Sequence, residues 1–190
     1  TGALRGRLTH SARELPFLFP DRDSHHVWLS DETELTCWNV ARVERTARIE
    51  TPSRCSRVAV TPSGNLITSL MAKRASTVLM LSKQGTEVAR HDVDHHSFCI
   101  AGDVIVVASS ERPELLVFDE KLSLLSTLPM PPKVDVVELL SLPTDAREFL
   151  AVDWHNQVHH YGTGATKSPS TPEKKPSKPA KKPAAKTKKR

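Results

Sequence analysis

At 190 residues, with 27 Lys+Arg against 22 Asp+Glu, the chain is long enough for one domain with a sizeable core and carries a formal charge of +5. The charge is unevenly placed: residues 163–190 hold nine Lys and Arg190 against Glu173 alone, a local +9 that leaves −4 on residues 1–162. A basic body is thereby excluded, and no apolar run approaches the roughly 18–20 residues of a bilayer-crossing helix.

Along the chain, short apolar runs alternate with turn clusters. Residues 8–50 open with Leu8-Thr9-His10-Ser11 and continue through strand-like runs at Leu15–Phe19, Val27-Trp28-Leu29 and Leu35–Val40. Pro16, Pro20 and Asp21-Arg22-Asp23-Ser24 punctuate them as turns. The second stretch runs from Arg57 to His91. There Arg57–Val60 and Leu66–Leu70 flank Thr61-Pro62-Ser63-Gly64-Asn65, the pattern of a hairpin. In the third, Ser97–Ile100 turns at Ala101-Gly102-Asp103 into Val104–Ala108, and Leu115–Phe118 and an outer strand near Leu122–Leu128 follow. The fourth holds Val136–Leu142, a turn at Pro143-Thr144-Asp145, Glu148–Val152 and Gln157–Tyr161. Prolines and turn clusters interrupt any helical period. The unbroken run Val104–Ala108 suits a strand covered on both faces.

These stretches echo one another. Trp38, Leu81, Phe118 and Tyr161 hold the same place in four strand-like runs, separated by 43, 37 and 43 residues. Seven or eight residues before each lies a polar turn containing Asp31, Lys73-Arg74, Glu111 or Asp153. A repeat of about forty residues built from short strands marks a β-propeller blade. The expected fold is all-β: a partial β-propeller of about four blades over residues 1–162, followed by a disordered tail over 163–190. A sandwich of two sheets is the alternative.

Two details resemble the WD-repeat family. Trp38-Asn39 and Phe118-Asp119 sit where that family carries its Trp-Asp pair, and Leu8-Thr9-His10 sits where its Gly-His element opens a blade. Leu81-Ser82 and Tyr161-Gly162 depart from the pattern, so the family's Asp-His-Ser/Thr-Trp network is not expected in most blades. The resemblance implies a ring of more than four blades, most often seven. The fourth stretch stops after its third strand, and the chain starts at Thr1. We therefore expect the C-terminal half of a longer propeller, whose last blade takes an outer strand from elsewhere.

Candidate chemistry is sparse. Cys37, Cys55 and Cys99 have no CxxC spacing and lie in or beside apolar runs, as reduced thiols do. His25-His26, His95-His96 and His159-His160 are adjacent pairs. Neighbours on a strand point to opposite faces, so loop or solvent-facing histidines are expected rather than a metal site. Asp153-Trp154-His155 and Asp92 with His95 offer acid–base pairs, but no GxSxG nucleophile context or glycine-rich phosphate loop accompanies them. No catalytic residue, cofactor or metal is assigned. Arg42, Arg45, Arg48, Arg54 and Arg57 cluster in an outer strand and the connection after it, beside Glu44 and Glu50. They read either as a basic patch or as a solvated strand with cross-strand ion pairs.

In the tail, five prolines alternate with lysines and lack apolar bulk. Lys181-Lys182 and Lys186, Lys188, Lys189, Arg190 fit nuclear import or contact with a phosphate backbone. No aromatic interleaves them, so base stacking is not expected. Ser168-Pro169 and Thr171-Pro172 read as proline-directed phosphorylation sites that would offset part of the +9.

The sequence thus points to a non-catalytic scaffold subunit of a nuclear or nucleolar RNA-processing complex, with the cytoplasm as alternative location. Ser97-Phe98-Cys99, Val104–Ala108, Glu111-Arg112-Pro113 and Leu115–Phe118 resemble the C-terminal blades of the WD-repeat subunit of tRNA guanine-N7 methyltransferase. That resemblance implies a catalytic methyltransferase partner held on tRNA, through backbone contacts, with no membrane. A chromatin or cytoskeletal adaptor binding DNA or acidic proteins through its tail is the alternative.

Overall fold

In the computed structural model, which describes residues 17–23, 25–70, 76–131, 134–142 and 146–163, the apolar runs become antiparallel strands, and no helix occurs among the described residues. The first sheet is β1 (Phe17–Pro20), β2 (His26–Ser30), β3 (Glu34–Asn39) and β4 (Glu44–Glu50), paired in that order. The second is β5 (Cys55–Val60), β6 (Leu66–Leu70), β7 (Thr77–Leu81) and β8 (Glu87–Asp92); the third is β9 (His95–Ala101), β10 (Val104–Ser109), β11 (Glu114–Phe118) and β12 (Leu124–Pro129). The fourth has three described strands, β13 (Val136–Ser141), β14 (Glu148–Asp153) and β15 (Val158–Gly162). Each sheet is an up-and-down meander, so every pairing is local and is set by a short turn.

Apolar clusters join consecutive sheets. Trp28, Leu35 and Cys37 of the first pack on Val58, Leu66 and Leu79 of the second. Ile67, Val78 and Met80 of the second meet Phe98, Ile105 and Phe118 of the third, whose opposite face buries Val106 and Val117 against Leu139 and Phe149 of the fourth. Strand β10 is buried throughout because it is covered on both faces, as its unbroken apolar sequence requires. Burying one such Val or Ile contributes about 1.5–3 kcal/mol.

The repeat is also written into the backbone. The third strand of each four-stranded sheet bulges against the fourth at the same step: Cys37/Trp38, Met80/Leu81 and Val117/Phe118. The large residue that defines the sequence period therefore marks a bulge, which turns its side chain and raises local twist. A five-residue turn recurs as well. Thr61–Asn65, Ser82–Thr86, Asp119–Ser123 and Asp153–Gln157 each return a backbone bond from the fourth residue to the first, with the fourth at positive φ (Gly64 84°, Gly85 85°, Leu122 56°, Asn156 59°).

The first side chain of this turn holds the loop. Asp119 accepts from the backbone N–H of Lys121 and Ser123 at 2.8 Å, and Ser82 accepts from Gln84 and Thr86 at 3.3 and 3.1 Å. Asn39 does the same for Ala41 and Arg42 at 3.1 and 3.0 Å. Ser82, which departs from the Trp-Asp pattern, thus performs the turn-holding role of Asp119. What the turn needs is an oxygen on a short side chain.

Candidate interaction site

The first strands of the four sheets, β1, β5, β9 and β13, lie innermost and line one groove of about 840 Å³. Its walls come from Phe19 and Asp21-Arg22, from Arg57–Val60, from Phe98–Ile100 with Gly102, and from Leu139–Leu142. The surface is mostly apolar, with few charged groups.

Bulges aim those charges. In β5, β9 and β13 the register with the following strand slips by one residue near the strand start, and Arg57, Ser97 and Glu138 follow the slip in the three sheets. Equivalent positions thus bear a cation, a hydroxyl and an anion. Ser97 Oγ accepts from the backbone N–H of Leu139 at 2.9 Å, and Ser141 Oγ accepts from Ile100 N–H at 3.1 Å, so two hydroxyls zip β9 to β13. The Arg57 guanidinium reaches past the third sheet to the Glu138 carboxylate. On the way it donates to the Phe98 carbonyl at 3.4 Å and lies 5.9 Å from the Phe98 ring centroid. One side chain therefore spans three sheets, and the pair stays about one-third exposed, 29% for Arg57, which lines the groove, and 36% for Glu138.

The other sequence candidates are dispersed. Arg42 lies in the β3–β4 turn, and Arg45 and Arg48 lie exposed on β4, where Arg48 pairs with Glu34 at 2.8 Å. Arg54, between β4 and β5, stacks 4.5 Å from the Phe17 ring centroid. Arg57 is not in this connection: it belongs to β5 and faces the groove, so the five arginines do not form one surface. Lys181, Lys182, Lys186, Lys188, Lys189, Arg190, Ser168 and Thr171 lie outside the described residues, as do Leu8-Thr9-His10, Lys73-Arg74 and Pro143-Thr144-Asp145.

The histidines and acids hold turns and join sheets. Asp153 accepts from the backbone of His155 and Gln157 at 2.8 and 2.9 Å, and its second oxygen lies 3.0 Å from His159 Nε2. The His159 hydrogen bond, helped by those N–H groups, holds the Asp153 carboxyl below its ordinary range. Asp153 thus engages the His155 backbone, while its side-chain partner is His159. Asp92 accepts from Thr77 Oγ1 at 2.8 Å, and His95 lies 2.7 Å from Ser69 Oγ, tying the second sheet to the third. His26 sits 2.6 Å from Asp23. Cys37, Cys55 and Cys99 are free and buried, and burial pushes the Cys99 thiol up to about 12.

Four radial meanders, inner strands around a groove and apolar faces stacked sheet on sheet form one architecture. The fold is that of a β-propeller. It is similar to the β-propeller domain of Myceliophteria thermophila Cps50 (Swd1), with a TM-score of 0.59 at 11% identity over 77% of this chain and 50% of that one. The structure of U3-55K matches with a TM-score of 0.62 at 12% identity over 82% of this chain and 54% of that one. The computationally designed Ika4 protein gives 0.62 at 12% identity over 86% of this chain and 100% of that one. At such identity the likeness is one of fold, and the propeller chain spans about half the length of the Swd1 domain and of U3-55K. No family model and no curated protein matches the sequence. The sheets are the blades that the forty-residue period predicted, with β15 the third strand of the fourth blade.

Proposed function

We propose that this propeller is a non-catalytic scaffold subunit of a nuclear RNA-processing or RNA-modification complex, its blades holding a protein partner and its basic tail touching RNA. The observation that carries this reading is the groove, where Arg57, held by Glu138 and about one-third exposed, stands among apolar walls supplied by four blades. Apolar surface with a few placed charges suits the side chains of a protein partner. The charge division supports the same allocation: −4 on residues 1–162 disfavours a polyanion there, while +9 on residues 163–190 attracts one without reading sequence. On this proposal, the resemblance across Ser97–Phe118 points to a catalytic methyltransferase as the partner and to tRNA as the RNA.

Affinity capture from nuclei with protein and RNA identification tests this reading. A methyltransferase recovered together with tRNA supports it, and loss of the enzyme on Arg57→Glu locates the contact in the groove. Recovery of nucleosomes or tubulin alone overturns it in favour of an adaptor. Removing residues 163–190 abolishes nuclear retention and RNA recovery on this reading; unchanged values reject the role given to the tail.

A further inference from the structure

Each inner strand has one edge in the ladder of its own blade and one toward the groove. Backbone groups alternate between the two edges, so the register decides which N–H groups face the groove. In the second blade Thr61 N–H bonds to the Asn65 carbonyl at 2.8 Å, which makes these residues a bonded pair. Counting back through Val60↔Leu66, Ala59↔Ile67 and Val58↔Thr68 turns the N–H and C=O of Val60 and Val58 away from β6. These are the places one and three residues past Arg57. The same places past Ser97 and Glu138 are Phe98 with Ile100 and Leu139 with Ser141. Bonds made toward the groove agree: the Phe98 carbonyl accepts from Arg57, and the N–H groups of Ile100 and Leu139 donate to Ser141 and Ser97. In the first blade Asp21 N–H bonds to the His26 carbonyl, so Leu18 and Pro20 hold the equivalent places.

The four inner edges are not equally closed. On β1 the second place is Pro20, which has no N–H. On β9 the Ile100 N–H is held by Ser141, and on β13 the Leu139 N–H is held by Ser97. Among the described residues, only β5 keeps both donors, Val58 and Val60, without a protein acceptor. The repeat explains why. Ser97 serves the blade after its own and Ser141 the blade before its own, so the corresponding acceptors for β5 would be Phe17 and Ile100, which have no side-chain oxygen. Strand β5 belongs to a blade covered on both sides, so its open edge is a property of these residues. An edge with successive unpaired donors and acceptors is a template for another strand.

Charge decides what kind of strand fits. The charged side chains in the groove walls are Asp21, Arg22 and Arg57. Asp21 is already engaged, one oxygen accepting from Trp28 Nε1 at 3.0 Å and the other from the Arg22 backbone N–H at 2.6 Å. Arg57 keeps donors beyond the two it uses, and the exposed Arg22 guanidinium has no ion-pair partner among the described residues. Arg57 heads the open edge and Arg22 lies just past the end of β1, so two cations flank Val58–Val60. We infer that the groove takes an extended acidic segment of a partner protein, which adds to the inner edge of β5 and sets its carboxylates on Arg22 and Arg57. The inference deepens the groove reading proposed above and rests on it. Main-chain bonds to Val58 and Val60 supply affinity, Phe19 and Phe98 receive the apolar side chains, and the arginines select acid over base. The groove's 840 Å³ lies within the roughly 300–1,000 Å³ of ordinary binding sites.

Calorimetry on the 190-residue chain tests this with the capped peptide Glu-Val-Ile-Val-Glu, its lysine-ended counterpart, and two copies N-methylated at the central or at the flanking amides. The acidic peptide binds, and the lysine-ended one binds at least roughly tenfold more weakly. Strand pairing uses alternate amides, so one methylated copy loses roughly fivefold per bond and the other far less. Val60→Pro removes a groove-facing donor without touching the β6 ladder, copies Pro20 at the equivalent place, and weakens the acidic peptide by the same factor. The methylated copies read the same bonds should that variant not fold. Arg22→Glu, at an exposed site, reverses the preference between acidic and lysine-ended peptides. Equal binding of both methylated copies, or no effect of a folded Val60→Pro, overturns strand addition. Failure of the acidic peptide to bind, or a preference for lysine, overturns the acidic occupant. In that event, loss of the nuclear partner on Arg57→Glu leaves the groove reading standing, and its retention rejects both.

Discussion

Arg57 is the side chain whose removal most directly tests the groove. Replacing it with alanine leaves Glu138 without its guanidinium and the Phe98 ring without its cation. Two unit charges about 4 Å apart attract by about 4 kcal/mol at an effective dielectric near 20. Water reaches both groups, at 29% and 36% exposure, and the desolvation of each opposes the attraction, which leaves a net of about 1 kcal/mol. The cation over Phe98 adds about 0.5 kcal/mol, and the 3.4 Å bond to the Phe98 carbonyl is too long to add much. Arg57→Ala is therefore expected to cost about 1.5 kcal/mol, Glu138→Ala about 1 kcal/mol, and the double-mutant cycle to return a coupling of about 1 kcal/mol. Urea unfolding followed by tryptophan fluorescence measures all four corners of the cycle. Repeating it in 1 M salt, where the Debye length is about 3 Å, should roughly halve the coupling. A coupling below about 0.3 kcal/mol, or one that salt leaves unchanged, refutes the claim that this side chain ties the blades electrostatically.

Three further outcomes follow from local geometry. Val43 is β-branched at φ 56°, so Val43→Gly should stabilise by about 1 kcal/mol; Leu122→Gly, at the same φ but 5% exposed in the second–third blade cluster, should destabilise instead, both read by urea midpoint. The Asp153 carboxyl has a folded pKa below its unfolded one, so its stabilisation is present above about pH 4 and is lost as pH falls through the folded value. Fluorescence of the adjacent, 68% exposed Trp154 should report loosening of the β14–β15 turn below about pH 4, and Asp153→Asn should remove that transition. A thiol reagent at pH 8 should modify Cys99 only after denaturant is added, since the residue is 3% exposed and its thiol is held far from ionisation; prompt modification in the native protein contradicts the packing.

Much of the architecture was legible because it is periodic. Trp38, Leu81, Phe118 and Tyr161 fixed the third strands, and the turn residues fixed where each hairpin reverses. Strand β8 was not legible, because Glu87–Asp92 carries no apolar run: an outer strand buries little and is held by its backbone pairing with β7. The groove was harder still. Arg57 stood in the sequence as the last of five arginines, and only the slip between Cys55 and Arg57 turns it away from its neighbours. Glu138 carries no signal in the sequence, because its partner lies 81 residues away on a strand two blades distant. Ser82 departs from the repeat in its chemistry but not in its role, because its hydroxyl accepts the same bonds as Asp119.

These residues separate what the repeat conserves physically from what it leaves free. Each blade needs an oxygen at the head of its turn, a bulge at its large residue and an apolar side chain against the next blade. Asp, Asn and Ser satisfy the first equally well, and Trp, Leu and Phe satisfy the second. The step after the inner bulge carries no such requirement, and there the chain places Arg57, Ser97 and Glu138 in succession, each bonded to a neighbouring blade. Variation at one geometrically fixed position is how a repeated scaffold acquires a site.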